Sequence, residues 1–142
     1  MLKQAERNKI NRIIDANLNR AKEGLRVCED IARFILDDRR FTLKLKRARH
    51  KLSSLSGSLA TRRMLLKDRQ SAKDVGRFLK ADELKRKGVR DIFFANMQRA
   101  KESVRVLEEF SKLINIKAAL GFKEVRYKIY GLEKKALERI LR

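Results

Sequence analysis

The stretch IIDANLNRAKEGLRVCEDIARFIL, residues 13–36, aligns without gaps onto IFFANMQRAKESVRVLEEFSKLIN, residues 92–115. Eleven of the 24 aligned positions are identical, and the two copies lie 79 residues apart. Their shared pattern is A-N-x-x-R-A-K-E-x-x-R-V-x-E. Self-similarity at a fixed shift is typical of a duplicated structural unit. The sequence therefore predicts two related units joined by an unlike connector.

Apolar residues recur within each copy at alternating steps of four and three. This spacing places them on one face of a helix and is typical of closely packed helices. The only glycine in the two copies, Gly24, aligns with Ser103, and two such small residues let helices approach closely. The predicted seams are Ile14, Leu18, Ala21, Leu25, Cys28, Ala32 and Ile35 in the first copy, and Phe93, Met97, Ala100, Val104, Leu107, Ser111 and Ile114 in the second.

These patterns predict an all-α fold, because no convincing period-two strand is present. The expected architecture is a duplicated helical hairpin that forms a four-helix bundle-like domain with a pseudo-twofold axis. We predict a single domain over residues 1–142. Repeat 1 covers about 10–64, a connector covers 65–90, and repeat 2 covers about 91–142.

The second helix of each hairpin is predicted at roughly Phe41–Met64 and Lys117–Leu141. Asp74-Val75-Gly76 predicts a turn in the connector, followed by a short helix near Ala81–Lys87. Gly121 is expected between the helices of the second pair or near the start of the last one.

The chain is strongly basic, with 38 Lys and Arg against 18 Asp and Glu and a formal net charge of +20. Residues 39–90 alone hold eighteen basic and four acidic residues, or +14. Such a field attracts nucleic acid, acidic membranes or phosphate-bearing substrates. The alternative is a charged, solvated surface of the kind common in heat-adapted proteins.

Composition excludes several other classes of protein. There is no proline and there are six glycines, so collagen-like and Gly/Ser-linker sequences are excluded. The longest uncharged run, 52–61, is far shorter than the roughly 20 apolar residues of a membrane-spanning helix. The first ten residues carry no apolar run of a secretory signal. With Cys28 as the single cysteine, we expect a reducing, cytoplasmic location.

Two polar positions recur at the edge of the apolar arc. On a helical wheel, Asn17 lies inside the arc and Arg20 lies toward its border, and Asn96 and Arg99 repeat them. A buried amide needs a partner, since an unpaired buried polar group costs roughly 1–3 kcal/mol. One interpretation is that the two asparagines pair and fix helix register. The other is an interior pocket that recognises a ligand amide or ring edge.

Other polar residues have both structural and functional interpretations. Arg26 and Arg105 lie one turn from carboxylates, which is typical of surface ion pairs on a helix. His50 is the only histidine, and the neighbouring Arg47 and Arg49 oppose its protonation. We therefore expect a phosphate-facing donor or a surface residue there rather than a catalytic base.

The standard catalytic motifs are missing. The sequence has no Walker loop, no G-x-G-x-x-G, no Cys/His metal cluster and no Ser-His-Asp set. Asp74, with Asp68, Asp82 and Glu83 nearby, offers carboxylate oxygens of the kind that Mg²⁺ prefers.

Most of the chain resembles a small family of thiamine biosynthesis, the all-helical hydroxymethylpyrimidine phosphate kinase module often fused to the N-terminus of thiamine phosphate synthase. The resemblance rests on RIIDANLNRAKEGLRVCEDIARFILDD (12–38), RARHKL (47–52) and FFANMQRAKESVRVLEEFSKL (93–113). RQSAKDVG (69–76) is similar to the family's R-D-T-x-x-D-V-G, but Gln70 replaces its first acid, which leaves Asp74 alone. The synthase barrel is absent, since 142 residues cannot hold both modules.

The resemblance implies ATP-dependent, Mg²⁺-supported phosphorylation of 4-amino-5-hydroxymethyl-2-methylpyrimidine phosphate to its diphosphate. Under that hypothesis Arg20 and Arg99 carry the catalysis as phosphate clamps, because guanidinium groups bind phosphate in a bidentate manner. Asp74 is then the Mg²⁺ ligand. The predicted substrate- and phosphate-binding residues are Asn17, Asn96, Arg47, His50, Arg69, Arg26 and Arg105.

Two other functions remain open at this stage. One is a non-catalytic helical domain that docks on thiamine phosphate synthase. The other is a basic nucleic-acid-binding protein, which the absence of a known binding motif and of interleaved aromatic residues disfavours. The expected partners are thus small phosphate substrates, with the synthase as a candidate, no membrane, and amphipathic helices that would suit a homo-oligomer.

Overall fold

A computed structural model describes residues 1–77 and 85–140, and every regular element in those ranges is helical. The all-α prediction is confirmed for this part of the chain. The five α-helices are α1 (Gln4–Asp30), α2 (Arg39–Gly57), α3 (Arg62–Asp68), α4 (Val89–Ser111) and α5 (Ile116–Ile140).

The four long helices pack in a closed order. Helix α1 contacts α2 and α4, and α5 contacts α4 and α2, while α3 packs on α1. Cys28 of α1 lies beside Phe93 of α4, whereas Gly24 lies beside Asn96 and Ala100. Because the position along α4 rises as the position along α1 falls, the two helices run antiparallel. Buried apolar residues from all five helices form one core cluster.

The predicted seams form most of that core. All members up to Ala32 in the first copy, and up to Ser111 in the second, are buried, and Ile114 is partly buried against the core. Ile35 differs from them, because it is 56% exposed. A π-helical turn, Ile31–Ile35, follows α1 and shifts the helical register, so the seam ends one step earlier than the spacing predicts.

Both hairpins begin their second helix with the same kind of cap. The Asp38 carboxylate accepts a hydrogen bond from the Phe41 backbone N–H at 2.9 Å, and the Asn115 side-chain oxygen accepts one from the Ala118 N–H at 3.2 Å. Such caps satisfy amide groups that the first turn leaves unpaired. The chain reaches Asp38 through Asp37, whose φ of 50° lies in the left-handed region.

The predicted second helix, 41–64, is wrong at its C-terminal end. Helix α2 ends at Gly57, and α3 begins at Arg62. The hydroxyls of Ser56 and Ser58 donate to carbonyls three residues earlier, an arrangement by which serine competes with helical hydrogen bonding. Thr61 then caps α3 by accepting a hydrogen bond from the Met64 N–H at 3.1 Å.

The connector contains the predicted turn. The Asp74 carboxylate accepts a hydrogen bond from the Gly76 N–H at 2.9 Å, within the turn formed at residues 75–77. The short helix predicted near 81–87 falls largely outside the described residues, and 85–87 have no regular structure.

The last helix begins one residue before its predicted start and continues to residue 140, the last one that the structure describes. Gly121 lies near the start of α5, where an added Cβ would meet a methyl group of Leu55 at 2.4 Å. None of the helices in the described ranges combines the length and apolar character needed to cross a membrane.

Candidate functional site

A cleft of about 710 Å³ lies between α1 and α4 and brings together four of the predicted site residues. We call it the α1/α4 cleft. Asn17 and Arg20 enter it from the first copy, and Asn96 and Arg99 from the second. Its other lining residues are Arg86, Ile92, Ala95, Gln98, Glu102, Ser103 and Val106.

Small residues beneath the cleft hold the two helices close together. Ala21 and Ala100 are fully buried where the helices cross. A Cβ added at Gly24 would stand 2.8 Å from the Asn96 backbone oxygen, closer than side-chain atoms normally approach. The Asn and Arg of each copy lie on the flank of this crossing, so the shared motif places both pairs along one cleft.

The two asparagines hydrogen-bond within their own helices. The Asn17 side-chain nitrogen donates to the Ile13 carbonyl at 2.9 Å, and that of Asn96 donates to the Ile92 carbonyl at 2.8 Å. Neither amide nitrogen donates to the other asparagine. The expected position of Asn17 inside the helix interface is confirmed, since the residue is buried, but the interpretation as a register-fixing pair gains no support.

Guanidinium groups give the cleft its charge. Arg20 is exposed, with one nitrogen 3.5 Å from the Asn17 side-chain oxygen, and Arg99 is half-buried. Arg86 adds a third cation, while Glu102 is the one carboxylate among the lining residues that the structure describes. Three arginines against one carboxylate suit the binding of phosphate groups.

Arg26 and Arg105 are engaged in ion pairs on the helix surface. Arg26 lies 3.5 Å from Glu29, and Arg105 lies 3.1 Å from Glu108. Both are about half exposed and line clefts other than the α1/α4 cleft. Both arginines therefore form the surface ion pairs that are typical of such helix positions.

The carboxylates of these pairs also join the two helices of each hairpin. Buried Glu29 accepts from Arg49 of α2 at 3.0 Å, and buried Glu108 accepts from Arg126 of α5 at 3.1 Å. Glu29 and Glu108 are 79 residues apart, but their partners are 77 apart. Arg49 and Arg126 thus make similar contacts in the two hairpins, each with a buried glutamate of the preceding long helix.

Arg69 is bound in a bidentate ion pair that ties the end of α3 to α1. Its guanidinium donates to the two carboxylate oxygens of buried Asp15 at 2.6 and 2.7 Å. These hydrogen bonds raise the pKa of Arg69. Next to them, buried Asn11 donates to Asp68 at 2.8 Å. The Asp15 carboxylate therefore takes up the guanidinium nitrogens of Arg69 that were predicted to bind phosphate.

Arg47 and His50 lie away from the α1/α4 cleft. Arg47 is exposed and lines a different cleft, between α2 and α5. His50 is exposed on α2, and the described part of the chain gives it no hydrogen bond or ion pair. The structure thus brings four of the predicted residues together and leaves the other arginines elsewhere.

Asp74 is exposed and already accepts one backbone hydrogen bond in its turn. Within the described ranges no group of three or more His, Cys, Asp or Glu side chains could hold a metal ion. A lone carboxylate such as Asp74 would hold Mg²⁺ only together with substrate phosphates and water, and Asp74 is not among the described residues that line the α1/α4 cleft. Asp82 and Glu83, considered with it, lie outside the described residues.

Sequence reasoning missed several residues that organise these sites. Asp15 and Asn11 have no counterparts of the same type in the second copy, so the repeat does not mark them. Arg86 enters the α1/α4 cleft from the connector, which no helical pattern predicts. Cys28 behaves as expected: it is fully buried, and burial raises the pKa of its thiol far above the ordinary value.

Comparison with known proteins identifies the family. The model of the ThiD2 family matches residues 12–135. The chain belongs to the ThiD2 family. This membership agrees with the resemblance found in the sequence, and similar proteins carry the name thiamine-phosphate synthase.

Three of these relatives of the ThiD2 chain illustrate the match. The synthase of Synechocystis sp. is 39% identical over 133 residues, which cover 93% of this chain and 37% of the relative. That of Nostoc punctiforme is 38% identical over 87% of this chain and 34% of the relative. That of Rhodopirellula baltica is 37% identical over 89% of this chain and 34% of the relative.

The ThiD2 chain thus spans little more than a third of the curated relatives it matches. No solved structure matches it significantly.

Proposed function

We propose that this ThiD2 protein transfers the γ-phosphate of ATP to 4-amino-5-hydroxymethyl-2-methylpyrimidine phosphate. An oxygen of the acceptor phosphate attacks the γ-phosphorus, the bond from that phosphorus to its bridging oxygen breaks, and ADP leaves. The acceptor's second pKa is about 6, so the attacking oxygen is already ionised at neutral pH. The reaction therefore needs no general base, which suits a cleft without histidine.

The observation that carries the proposal is the convergence of Asn17, Arg20, Asn96 and Arg99 in the α1/α4 cleft. Phosphoryl transfer depends mainly on positioning and on neutralisation of charge. Guanidinium groups from two helices can hold the donor and acceptor phosphates together. The asparagine amides can pair with the edge of an aminopyrimidine, as they do with adenine.

A cleft of about 710 Å³ also has the size of a typical small-molecule site. Close packing below the cleft supports the positioning role, because Gly24 and Ala100 fix the spacing of the helices that carry the two Asn/Arg pairs. A site built on rigid helices holds its groups more accurately than one built on loops.

The proposal includes a duplicated architecture about a pseudo-twofold axis. It is supported by contacts that recur in both hairpins: Asn17 with Ile13 and Asn96 with Ile92, then Glu29 with Arg49 and Glu108 with Arg126. The axis would pass near the crossing of α1 and α4. One cleft would then offer two related phosphate subsites, which suits a reaction that joins two phosphate-bearing substrates.

Mg²⁺ would arrive with ATP and neutralise charge on its phosphates when bound. Asp74 is the proposed protein ligand, with Arg20 and Arg99 as the residues that orient the reacting phosphates. Arg26, Arg105 and Arg69 act through their ion pairs in this account, and Arg47 and His50 stay outside the reaction site.

Arginine variants with a matched control test the assignment. We expect Arg20→Met and Arg99→Met each to lower kcat/KM about 100-fold, the scale of losing one preorganised donor at a developing charge. Arg33→Met, an exposed arginine of the same first copy that does not line this cleft, should keep kcat/KM within about twofold. Equal activity of all three folded variants would remove the two arginines from the mechanism.

A second function is favoured by the partial match to the longer synthases. The chain could act as a non-catalytic domain that docks on thiamine-phosphate synthase. Co-purification with that enzyme, combined with no turnover by the purified chain alone, would support docking over catalysis.

A further inference from the structure

A second basic cleft, of about 510 Å³, lies between α2 and α5. We call it the lysine cleft. In the closed order of helices, the α2–α5 contact lies across the bundle from the α1–α4 contact. The lysine cleft is therefore separate from the α1/α4 cleft, and the core lies between them. It is lined by Lys44, Arg47, Ala48, Lys51, Val125, Lys128, Gly131, Leu132 and Lys135.

Five cations and no acidic side chain are among the described residues that line this cleft. Elsewhere in the described part of the chain, many cations lie beside carboxylates, as Arg69 lies beside Asp15 and Lys101 beside Glu133. None of the five has an ion pair with a described residue, and neither the first nor the last turn of α2 holds an acid. The cleft is thus a concentrated positive field without internal neutralisation.

Two of its lysines face each other across the cleft. Lys44 of α2 and Lys135 of α5 both line it, and the nearby Lys135 lowers the pKa of Lys44. Like charges so close together oppose folding. A bound anion would remove that repulsion, so the arrangement favours occupancy by negative charge.

Helix α2 itself concentrates the charge. Its nineteen residues include seven Lys and Arg and no Asp or Glu. Lys44, Arg47 and Lys51 follow one another at helical spacing, so they share one face and repel one another. A solvent-exposed helix face usually carries charges of both signs, whereas this face carries only positive charge.

The floor of the lysine cleft is apolar. Ala48, Val125 and Leu132 are buried beneath the cations, and Gly131 leaves the wall of α5 without a side chain. No aromatic residue lines the cleft, so stacking of exposed bases, the usual means of gripping single-stranded nucleic acid, is not available among these residues. Its volume suits one small organic ligand.

We propose that the lysine cleft binds a small organic anion that carries two or three linked phosphate groups. The lysines and Arg47 hold the phosphates, and the non-phosphate part of the ligand rests on Ala48, Val125 and Leu132. The site lies across the bundle from the proposed reaction site, so its occupant is not the reacting pair. Binding there is independent of turnover.

Titration calorimetry with inorganic tripolyphosphate, and with ADP in EDTA, tests the proposal directly. Lys128→Gln/Lys135→Gln removes two cations from the cleft. Lys123→Gln/Lys134→Gln removes two exposed cations of the same helix that do not line it. We expect the first pair to weaken one tight binding event about tenfold or more and the second to change it less than about twofold. Tighter binding of ADP than of inorganic diphosphate would show that the apolar floor contacts the ligand.

Three outcomes would overturn the proposal. Equal losses in both double variants would show diffuse electrostatic attraction, and no binding by the parent protein would exclude the site. Tighter binding of single-stranded DNA than of tripolyphosphate, with the same dependence on Lys128 and Lys135, would assign the cleft to nucleic acid. Because Lys128 and Lys135 do not line the α1/α4 cleft, the comparison of the two double variants reports on the lysine cleft whether or not the protein proves to be a kinase.

Discussion

Gly24 of α1 packs directly against the backbone of Asn96 in α4. A Cβ atom at position 24 would stand 2.8 Å from the Asn96 carbonyl oxygen. This contact sets the spacing of the two helices whose Asn and Arg residues line the α1/α4 cleft. The obstacle is backbone rather than a flexible side chain, so relief requires the helices to move apart.

Gly24→Ala should therefore destabilise the protein, although alanine ordinarily favours a helix. We expect the free energy of unfolding to fall by about 1–3 kcal/mol, the usual cost of overpacking. Gly131→Ala in α5 is the matched control, because nothing lies within 4 Å of its added Cβ. It should raise the free energy of unfolding by about 0.5–1 kcal/mol. Denaturant unfolding of both variants measures the difference, and a Gly24→Ala variant as stable as its parent would contradict the close approach.

Buried Glu29 and Glu108 should contribute similarly to stability. Each lies beside a half-exposed arginine of its own helix and a partly buried arginine of the next long helix. Glu29→Gln and Glu108→Gln should each cost about 1–3 kcal/mol, because each leaves a partly buried guanidinium without its charge partner. Glu23→Gln, at an exposed position of α1, is the control and should change stability little. Chemical denaturation checks all three, and a large inequality between the first two would argue against equivalent hairpins.

Arg69→Met should lower stability more clearly than it affects catalysis. The variant leaves the buried Asp15 carboxylate without its bidentate partner, and we expect a loss of about 1–2 kcal/mol, since Arg69 itself is 40% exposed. Arg63→Met, an exposed position of α3, should be close to neutral. Thermal unfolding with steady-state kinetics separates the roles. Unchanged stability with a large fall in kcat would restore Arg69 as a phosphate-binding residue.

The Lys44–Lys135 contact predicts a particular dependence of stability on pH. The pKa of Lys44 is lowered in the folded chain, chiefly by Lys135, so between that value and the ordinary 10.5 the unfolded chain binds more protons. Stability from this group should consequently rise with pH through that window. The charged groups facing Lys44 are Arg40, Arg47 and Lys51 on α2, and Lys128, Lys135 and Arg139 on α5.

Lys135→Gln should remove this effect. At neutral pH we expect a small rise in Tm, of about 1 °C, because the repulsion is exposed to solvent. The alkaline rise in stability should flatten, since the pKa of Lys44 returns toward its ordinary value. Thermal unfolding at several pH values measures both, with Lys134→Gln as the control. Identical pH profiles for the parent and Lys135→Gln would contradict the contact.

The helical core was predictable because its signal is local. The four-and-three spacing in each copy identifies the buried face without knowledge of the partner helix, and it fails only at Ile35, where the π-helical turn changes the register. The meeting of Asn17 with Asn96 in one cleft was also expected from the repeat, because both residues border the same crossing.

Features that depend on distant partners were not predictable. Asp15 and Arg69 are 54 residues apart, and neither position has a pattern that indicates the other. The similar contacts of Arg49 and Arg126 were hidden, because the separation between glutamate and arginine is two residues longer in the first hairpin and a gapless shift of 79 does not align them. Helix α2 ends where serine hydroxyls bond to backbone carbonyls. The amino-acid composition does not show at which serine the helix ends.

We propose that this chain alone phosphorylates hydroxymethylpyrimidine phosphate. Phosphorus NMR of purified protein with Mg²⁺, ATP and that acceptor follows the reaction most directly. We expect equal amounts of ADP and a new pyrimidine diphosphate, with both signals abolished by excess EDTA. A folded, monodisperse sample that forms neither product would contradict it and would favour docking on thiamine-phosphate synthase.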